Sequence, residues 1–314
     1  MRVAVLRGGS SLERQVSLRS GARVEDALAS LGHEVVPLDA DGELIGRLTG
    51  ERPDVAFIAL HGPGGEDGTV QELLEILGIP YTGPGVAACM RCLDKALAKH
   101  TLRAAGIATP DWVAITSTAF RELRAAEALE QIEARLGFPL VVKPAAQGSA
   151  LGVRLAPDRD AVPEALVSAL SYDDRVLLER HVEGRELAVG VLDSDPLPAV
   201  EVRPRPDDLY DYGARYEIGR TEYICPAELE SGADAAVREI AVGAYDALGC
   251  AGFARVDLML GNEGPEVLEV EAVPGLTDTS LFPMAAEAAG IGFEELCGRI
   301  VELGLARAAA SATT

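Results

Sequence analysis

Two segments late in the chain, Gly252-Phe-Ala-Arg-Val-Asp-Leu-Met-Leu260 and Glu266-Val-Leu-Glu-Val-Glu-Ala272, carry charged residues at alternate positions among apolar ones. Side chains along a β-strand point to opposite faces with period two. Arg255 and Asp257 therefore share a face, and so do Glu269 and Glu271. A hairpin through 261–265 stacks the two polar faces. Three carboxylates on one otherwise apolar sheet repel each other unless a cation neutralises them. An all-oxygen donor set suits Mg²⁺, which commonly also binds substrate phosphates. The competing reading is a solvated sheet face, which the surrounding Leu, Val and Met disfavour.

Such a metal site points to a nucleotide, and the cations of the chain bear on that. Arginine supplies nearly all the positive charge; Lys95, Lys99 and Lys143 are the only lysines. Lysine is a compact point charge suited to phosphate, whereas arginine is a planar fork. Lys95 falls on a helical pattern and Lys143 ends an apolar strand beside Gln147-Gly-Ser-Ala-Leu-Gly152. A loop of small residues there offers backbone N–H groups and a hydroxyl to phosphate oxygens. The G-x-x-x-x-G-K-[ST] and G-x-G-x-x-G patterns are both absent, so Gly8-Gly9 reads as a tight turn.

The elements that must position these residues alternate. Residues 1–6 read as a strand, a helical pattern runs to about 31, and 34–38 and 54–60 are strands. The last is a continuous apolar run of the parallel, doubly covered type. It ends in the turn-rich loop His61–Gly68, before a helix over 69–77. This alternation predicts a small parallel α/β domain over 1–85. A second unit, 86–175, holds a helix over 86–105, a strand at 112–115, a helix over about 119–136 and the strand 138–144. A third unit, 176–314, holds strands at 176–179 and 186–192, a helix over 234–248 and the acidic hairpin. The polar, Tyr-rich stretch 204–224 has few structure signals, and loops of that length are more often functional than idle.

Composition sets outer bounds. At 314 residues the chain suits two or three compact domains. With 28 basic and 50 acidic residues its formal charge is −22, which repels phosphate backbones and argues against a nucleic-acid partner. A local cationic pocket can still take a small anion. No apolar run approaches the roughly 20 residues that span a bilayer, and the opening has no secretion signal pattern. Five cysteines, an odd number, predict reduced thiols and a cytoplasmic address. Cys89 and Cys92 form a single C-x-x-C with no second ligand pair for zinc, so both read as helix-packing thiols.

Ten segments in order carry a family resemblance. They are Gly8-Gly-Ser-Ser-Leu-Glu-Arg-Gln-Val-Ser-Leu-Arg-Ser-Gly21, His61–Gly68, Ile79-Pro-Tyr-Thr-Gly83, Asp94-Lys95 and Val141-Val-Lys-Pro144. Glu183-Gly-Arg-Glu186, Tyr210-Asp-Tyr-Gly-Ala-Arg-Tyr216, Cys225-Pro-Ala227, Ala254-Arg-Val-Asp257 and Pro274-Gly-Leu-Thr-Asp-Thr-Ser-Leu281 complete the set. Over nearly its whole length the chain resembles the D-alanine–D-alanine ligases of the ATP-grasp superfamily. The resemblance implies an α/β (α+β overall), three-domain ATP-grasp fold, with ATP between the central and C-terminal domains. It implies that ATP phosphorylates one D-alanine and that the amine of a second attacks the acyl phosphate, a step of peptidoglycan precursor synthesis. It also implies Mg²⁺, usually two ions and replaceable by Mn²⁺, and a family often dimeric through its first domain.

Site roles follow from the same resemblance. Lys95, Lys143 and Arg215 correspond to phosphate-binding cations. Glu179 corresponds to the acceptor of the adenine amino group, with the backbone near His181 and Val182 beside it, and Glu186 to the ribose-binding acid. Asp257, Glu269 and Glu271 stand at the Mg²⁺ ligand positions. Glu13 corresponds to the residue that binds the first ammonium, linked through Ser149 and Tyr216 to a closing lid. Arg255 and the Gly275 backbone would form an oxyanion site, Ser280 with Leu281 would hold the second carboxylate, and His61 would lie near the first substrate.

Four departures from the family pattern lie near the chemistry: Glu271 stands in place of the usual Asn, Ala150 in place of a serine, Gln147 in place of an acid and Arg215 in place of a lysine. They keep two other readings open. One is a sibling ligase for another amino-acid or hydroxy-acid pair, and the other is a nucleotide-binding protein without ligase activity. The resemblance implies an amine rather than a hydroxy-acid nucleophile, because family members that use D-lactate tend to have a different lid near the Tyr216 position.

Overall fold

In the computed structural model of the chain, residues 1–122, 128–204 and 221–311 are described. Arg215 and Tyr216, with Tyr210 and Tyr212, lie outside the described residues.

Three sheets organise them. The first is parallel, in the order β2-β1-β3, from β1 (Arg2–Arg7), β2 (Glu34–Asp39) and β3 (Val55–Ile58). All four β3 residues are buried, as their unbroken apolar run requires. Helix α1 (Arg14–Ser30) connects β1 to β2 and buries Val16, Ser17, Ser20, Gly21, Val24, Ala27 and Leu28, one stripe at helical spacing. Helix α2 (Leu44–Glu51) follows β2. Helix α3 (Thr69–Leu77) starts after Gly68 and stops at Gly78, both in the left-handed region.

The helix expected over 86–105 is two helices, α4 (Val86–Leu93) and α5 (Lys95–Ala104). Asp94 breaks it. Its backbone is extended and its carboxylate accepts from the Leu97 N–H at 3.0 Å, capping α5. The cap points α5 so that both of its lysines are buried.

The second sheet is antiparallel, in the order β4-β7-β5-β6, from β4 (Trp112–Thr116), β5 (Leu140–Pro144), β6 (Arg154–Ala156) and β7 (Arg175–Arg180). Helices α6 (Ser117–Glu122), α7 (Leu129–Leu136) and α8 (Val162–Leu170) accompany it. The sequence boundary at 176 cuts through β7, which pairs with β4 and β5 and so belongs to this sheet, not to the third unit. Its run Val176–Leu178 is buried on both faces because each is covered: Val176 and Leu178 pack with Leu166 and Ala169 of α8, and Leu177 with Ala96 of α5 and Trp112.

The third sheet has the order β11-β10-β8-β12-β13, with β9 at its side. Its strands are β8 (Arg185–Leu192), β9 (Asp195–Pro196), β10 (Val200–Pro204), β11 (Thr221–Ile224), β12 (Phe253–Gly261) and β13 (Gly264–Glu271). Helix α9 (Ser231–Leu248) packs on it, and α10 (Leu281–Ala288) follows. Helix α11 (Phe293–Ser311) then returns to the first sheet, where Cys297, Ile300 and Val301 pack with Val24, Leu28 and Phe57. One apolar cluster thus runs from the first sheet into the third and fixes one against the other. Among the described residues no helix is long and apolar enough to cross a membrane, and all five cysteines are free thiols.

Candidate active site

The β12–β13 hairpin forms as the alternation requires. In register, Asp257 faces Glu269 and Arg255 faces Glu271. Carboxylate oxygens of Asp257, Glu269 and Glu271 lie within 4.8 Å of one another. Two cations offset part of the charge of these three carboxylates. The Arg255 guanidinium donates through Nε and Nη2 to the two oxygens of Asp257, both at 2.7 Å, and its Nη2 lies 2.6 Å from Glu271 Oε1. Lys95 Nζ lies 3.0 Å from Glu269 Oε2 and donates to the Gln147 carbonyl at 2.8 Å. Three convergent carboxylates, two of them partly open to a cleft, are the donor set a hard divalent cation requires.

Two adjoining clefts meet at this cluster, sharing Lys95, Gln147 and Glu269. The first, about 770 Å³, gathers Glu13, His61, Ser149, Arg255, Glu271, Gly275, Ser280 and Leu281. The second, about 960 Å³, gathers Lys143, Glu179, His181, Val182, Glu186 and Asp257. Every expected site residue within the described chain therefore lines one cleft or both. The second cleft is walled by Val141, Val153, Met259 and Leu268, an apolar slot between the second and third sheets that suits a flat ring.

At the inner end of the first cleft, Glu13 is buried and its carboxylate accepts from the Ser149 hydroxyl. Two glycines make room for it. A Cβ on Gly148 would lie 2.7 Å from Glu13 Oε2, and one on Gly62, whose φ is +72°, would lie 2.6 Å from the same atom. Ser149 and Ala150 both hold positive φ, at 51° and 54°. Backbone held there without glycine costs energy and persists where the surroundings over-determine it, typically at functional sites.

His61, three residues beyond β3, is buried with Nε2 3.0 Å from Ser20 Oγ and Nδ1 3.3 Å from Glu66 Oε1. Burial pushes the His61 imidazole down, against the pull of Glu13 and Glu271. Burial, with Glu271 adding to it, pushes the Glu66 carboxyl up to about 8. Because this value lies above the ordinary 4.5, the stability tied to the Glu66 proton is complete below about pH 4.5 and lost as pH rises through about 8. In metal-free buffer Glu66→Gln is expected to flatten the fall in Tm over that window. An unchanged slope in thermal unfolding contradicts the assignment.

Ser280 precedes α10 with extended backbone, and Leu281 begins the helix. The Ser280 hydroxyl accepts from the Thr277 N–H at 2.9 Å. The α10 N-terminus thus opens on the first cleft, a position that favours a carboxylate.

Lys143 departs from simple expectation in its contact. Its Nζ donates to Glu179 Oε1 at 2.8 Å, so two residues expected at opposite ends of a nucleotide touch each other. Sequence reasoning missed the third partner. Lys99 Nζ lies 2.5 Å from Glu179 Oε2, with no exposed surface. Its retention among three lysines, four positions after Lys95 on one helix, was the available signal. Glu66, inside the turn-rich loop His61–Gly68, was the other omission.

The matches to known proteins cover nearly the whole chain. The family model described as D-ala D-ala ligase C-terminus matches residues 101–302, and that described as D-ala D-ala ligase N-terminus matches 46–84. The D-alanine–D-alanine ligase of Syntrophotalea carbinolica is 44% identical over 96% of this chain and 95% of its own. The crystal structure of the Bacillus anthracis D-alanine–D-alanine ligase complexed with ATP superposes with a TM-score of 0.84 at 34% identity, covering 99% of both chains. The VanG D-Ala:D-Ser ligase of Enterococcus faecalis does so with a TM-score of 0.82 at 26% identity, over 97% of this chain and 99% of that one. The fold is the mixed α/β ATP-grasp fold, with its parallel sheet at the N-terminus. By family model and by near-full-length identity, the chain belongs to the D-alanine–D-alanine ligase family.

Proposed function

We propose that this chain is an ADP-forming ligase that joins two D-alanines into D-alanyl-D-alanine for peptidoglycan precursor synthesis. The observation that carries the reading is one continuous pair of clefts. An acidic triad and two lysines stand at their junction, a buried glutamate lies at one end, and an apolar slot at the other.

Free carboxylates are poor electrophiles, so a phosphate leaving group is needed before an amine can displace it. Glu13, held by Ser149, binds the ammonium of the first D-alanine and leaves its carboxylate toward the junction of the clefts. ATP lies with its ring in the second cleft, Glu179 accepting from the adenine amino group beside the His181–Val182 backbone and Glu186 on the ribose. Lys95 and Lys143 attract the phosphates. Asp257, Glu269 and Glu271 would hold Mg²⁺, which when bound neutralises the charge developing on the transferred phosphoryl group. Transfer of the γ-phosphoryl group to the carboxylate gives the acyl phosphate and ADP. The second D-alanine, its carboxylate at Ser280 and the start of α10, attacks through its free amine. The tetrahedral adduct, its oxyanion facing Arg255 and Gly275, then expels phosphate, which carries off the proton given up by the amine. The 44% identity to a D-alanine–D-alanine ligase over nearly full length supports this assignment.

The departures Gln147, Ala150 and Glu271 and the likeness to a D-Ala:D-Ser ligase favour one second reading, a different second substrate. Both are tested by incubating the protein with ATP, Mg²⁺ and D-alanine, L-alanine, D-serine or D-lactate, singly and in pairs. Phosphate release and product mass are the readouts. D-alanine alone should give one dipeptide and stoichiometric ADP. Product only with a second kind of acid supports the sibling ligase, and no phosphate release with any acceptor overturns both.

A further inference from the structure

Glu179 sits on β7 and uses each carboxylate oxygen on a different lysine. Oε1 takes Lys143 from the neighbouring strand β5 at 2.8 Å, and Oε2 takes Lys99 from α5 at 2.5 Å. These lysines are not equivalent. Lys143 lines the second cleft, whereas Lys99 does not and has no exposed surface. Lys99 is tied down from behind. Its Nζ donates to Thr109 Oγ1 at 2.7 Å and lies 3.4 Å from the Pro110 carbonyl, and the Thr109 hydroxyl donates to the Val267 carbonyl of β13 at 2.7 Å. The ammonium also lies 5.6 Å from the Trp112 ring centroid. These anchors come from the 109–112 segment and, through Thr109, from β13, so Lys99 on α5 is fixed between the second and third sheets.

We infer that Lys99 is a positioning residue: the permanent counter-ion that keeps Glu179 charged and aimed while Lys143 moves to the phosphates. This rests on the proposed reading of Glu179 as acceptor of the adenine amino group. A carboxylate buried without a paired cation takes up a proton and stops being an acceptor. Were Lys143 the sole partner, nucleotide binding would ask it to neutralise Glu179 and a phosphate at once. With Lys99 fixed on Oε2, Oε1 becomes available to the adenine amino group when Lys143 turns away. The electrostatics agree. Burial pushes the Glu179 carboxyl up, but Lys143 and Lys99 outweigh it and the net direction is down. Burial pulls the Lys99 ammonium down to about 8 against the opposing pull of Glu179, which leaves it charged at neutral pH.

The test compares ATP with ITP, which carries an oxygen in place of the amino group, in the full-length protein with D-alanine and Mg²⁺. Lys99→Met, which keeps the side-chain length, is expected to raise KM for ATP about tenfold, the effect of losing one charged partner of a buried carboxylate. It should cut the ATP/ITP ratio of kcat/KM by about tenfold or more, with kcat and KM for D-alanine within about twofold. A general loosening of the fold would move all of these together. Thr109→Val removes one anchor of Lys99 without touching its charge and should lower the same ratio about threefold, which keeps the test open if Lys99→Met does not fold. If Glu179→Gln collapses the ratio but Lys99→Met, or Thr109→Val in its place, leaves it unchanged, the inference is wrong and the adenine reading stands. If Glu179→Gln also leaves the ratio unchanged, both fall.

Discussion

Asp257→Asn is expected to lower kcat about a thousandfold and to raise the Mg²⁺ concentration for half-maximal rate by at least about tenfold. Asp257 is the buried member of the acidic triad, 5% exposed, and it faces Glu269 across the hairpin. Asparagine keeps the shape and one acceptor oxygen but removes a full charge, so the cluster holds a divalent cation less tightly. Metal stabilisation of a transferring phosphoryl group amounts to several kcal/mol, and a thousandfold is about 4 kcal/mol at about 1.36 kcal/mol per decade. Steady-state rates over a Mg²⁺ series check both effects. A variant that turns over within about threefold of the parent at every Mg²⁺ concentration would remove Asp257 from the metal site. Chelation should act in the same direction on the unmodified protein, abolishing ADP release until Mg²⁺ or Mn²⁺ is restored.

Arg255→Met is the second large effect, and it separates two roles of one side chain. In the metal-free protein the guanidinium is what neutralises Asp257 and Glu271, and both it and Asp257 are buried. Removing one member of a buried ion pair leaves an uncompensated charge and costs about 3–5 kcal/mol. The variant should therefore unfold at a clearly lower temperature in EDTA and recover a large part of the loss with Mg²⁺, since a bound cation replaces the missing charge. Turnover should stay depressed about 10²–10³-fold even at saturating Mg²⁺, because the oxyanion still lacks its donor. Thermal unfolding with and without Mg²⁺, followed by rates at high Mg²⁺, checks the pair. Full catalytic recovery would reduce Arg255 to a structural counter-ion.

The acidic cluster was legible in the sequence because its signal is local. Two short strands, a turn and a period of two place Arg255, Asp257, Glu269 and Glu271 on one face, and the hairpin register does so. The parallel character of the first sheet was legible for a similar reason, since the run around Val55–Ile58 has no polar face to show solvent. The roles of Glu13, Glu179 and Ser280 came from resemblance, not from pattern, because each acquires its surroundings from distant segments. The Glu13–Ser149 contact spans 136 positions, and Lys143 meets Glu179 through strands separated by β6 and α8. Strand order in a mixed sheet cannot be read from periodicity, which is why β7 was placed with the wrong sheet. The break at Asp94 depends on a cap that competes with helix continuation, and an unbroken helical pattern through 86–105 hides it. Lys99 was conspicuous by composition, yet only the packing of α5 against β7 gives it a partner.

The reading turns on a shared site for metal and nucleotide between the acidic hairpin and the lysines. Mn²⁺ titration followed by electron paramagnetic resonance, with and without a non-hydrolysable ATP analogue, measures that site directly. The intact protein should bind Mn²⁺ much more tightly when the analogue is present, and Glu269→Gln and Lys143→Met should each weaken that ternary binding by about tenfold or more. Mn²⁺ held equally well in all three proteins, or with no help from the nucleotide, would contradict the account at its centre.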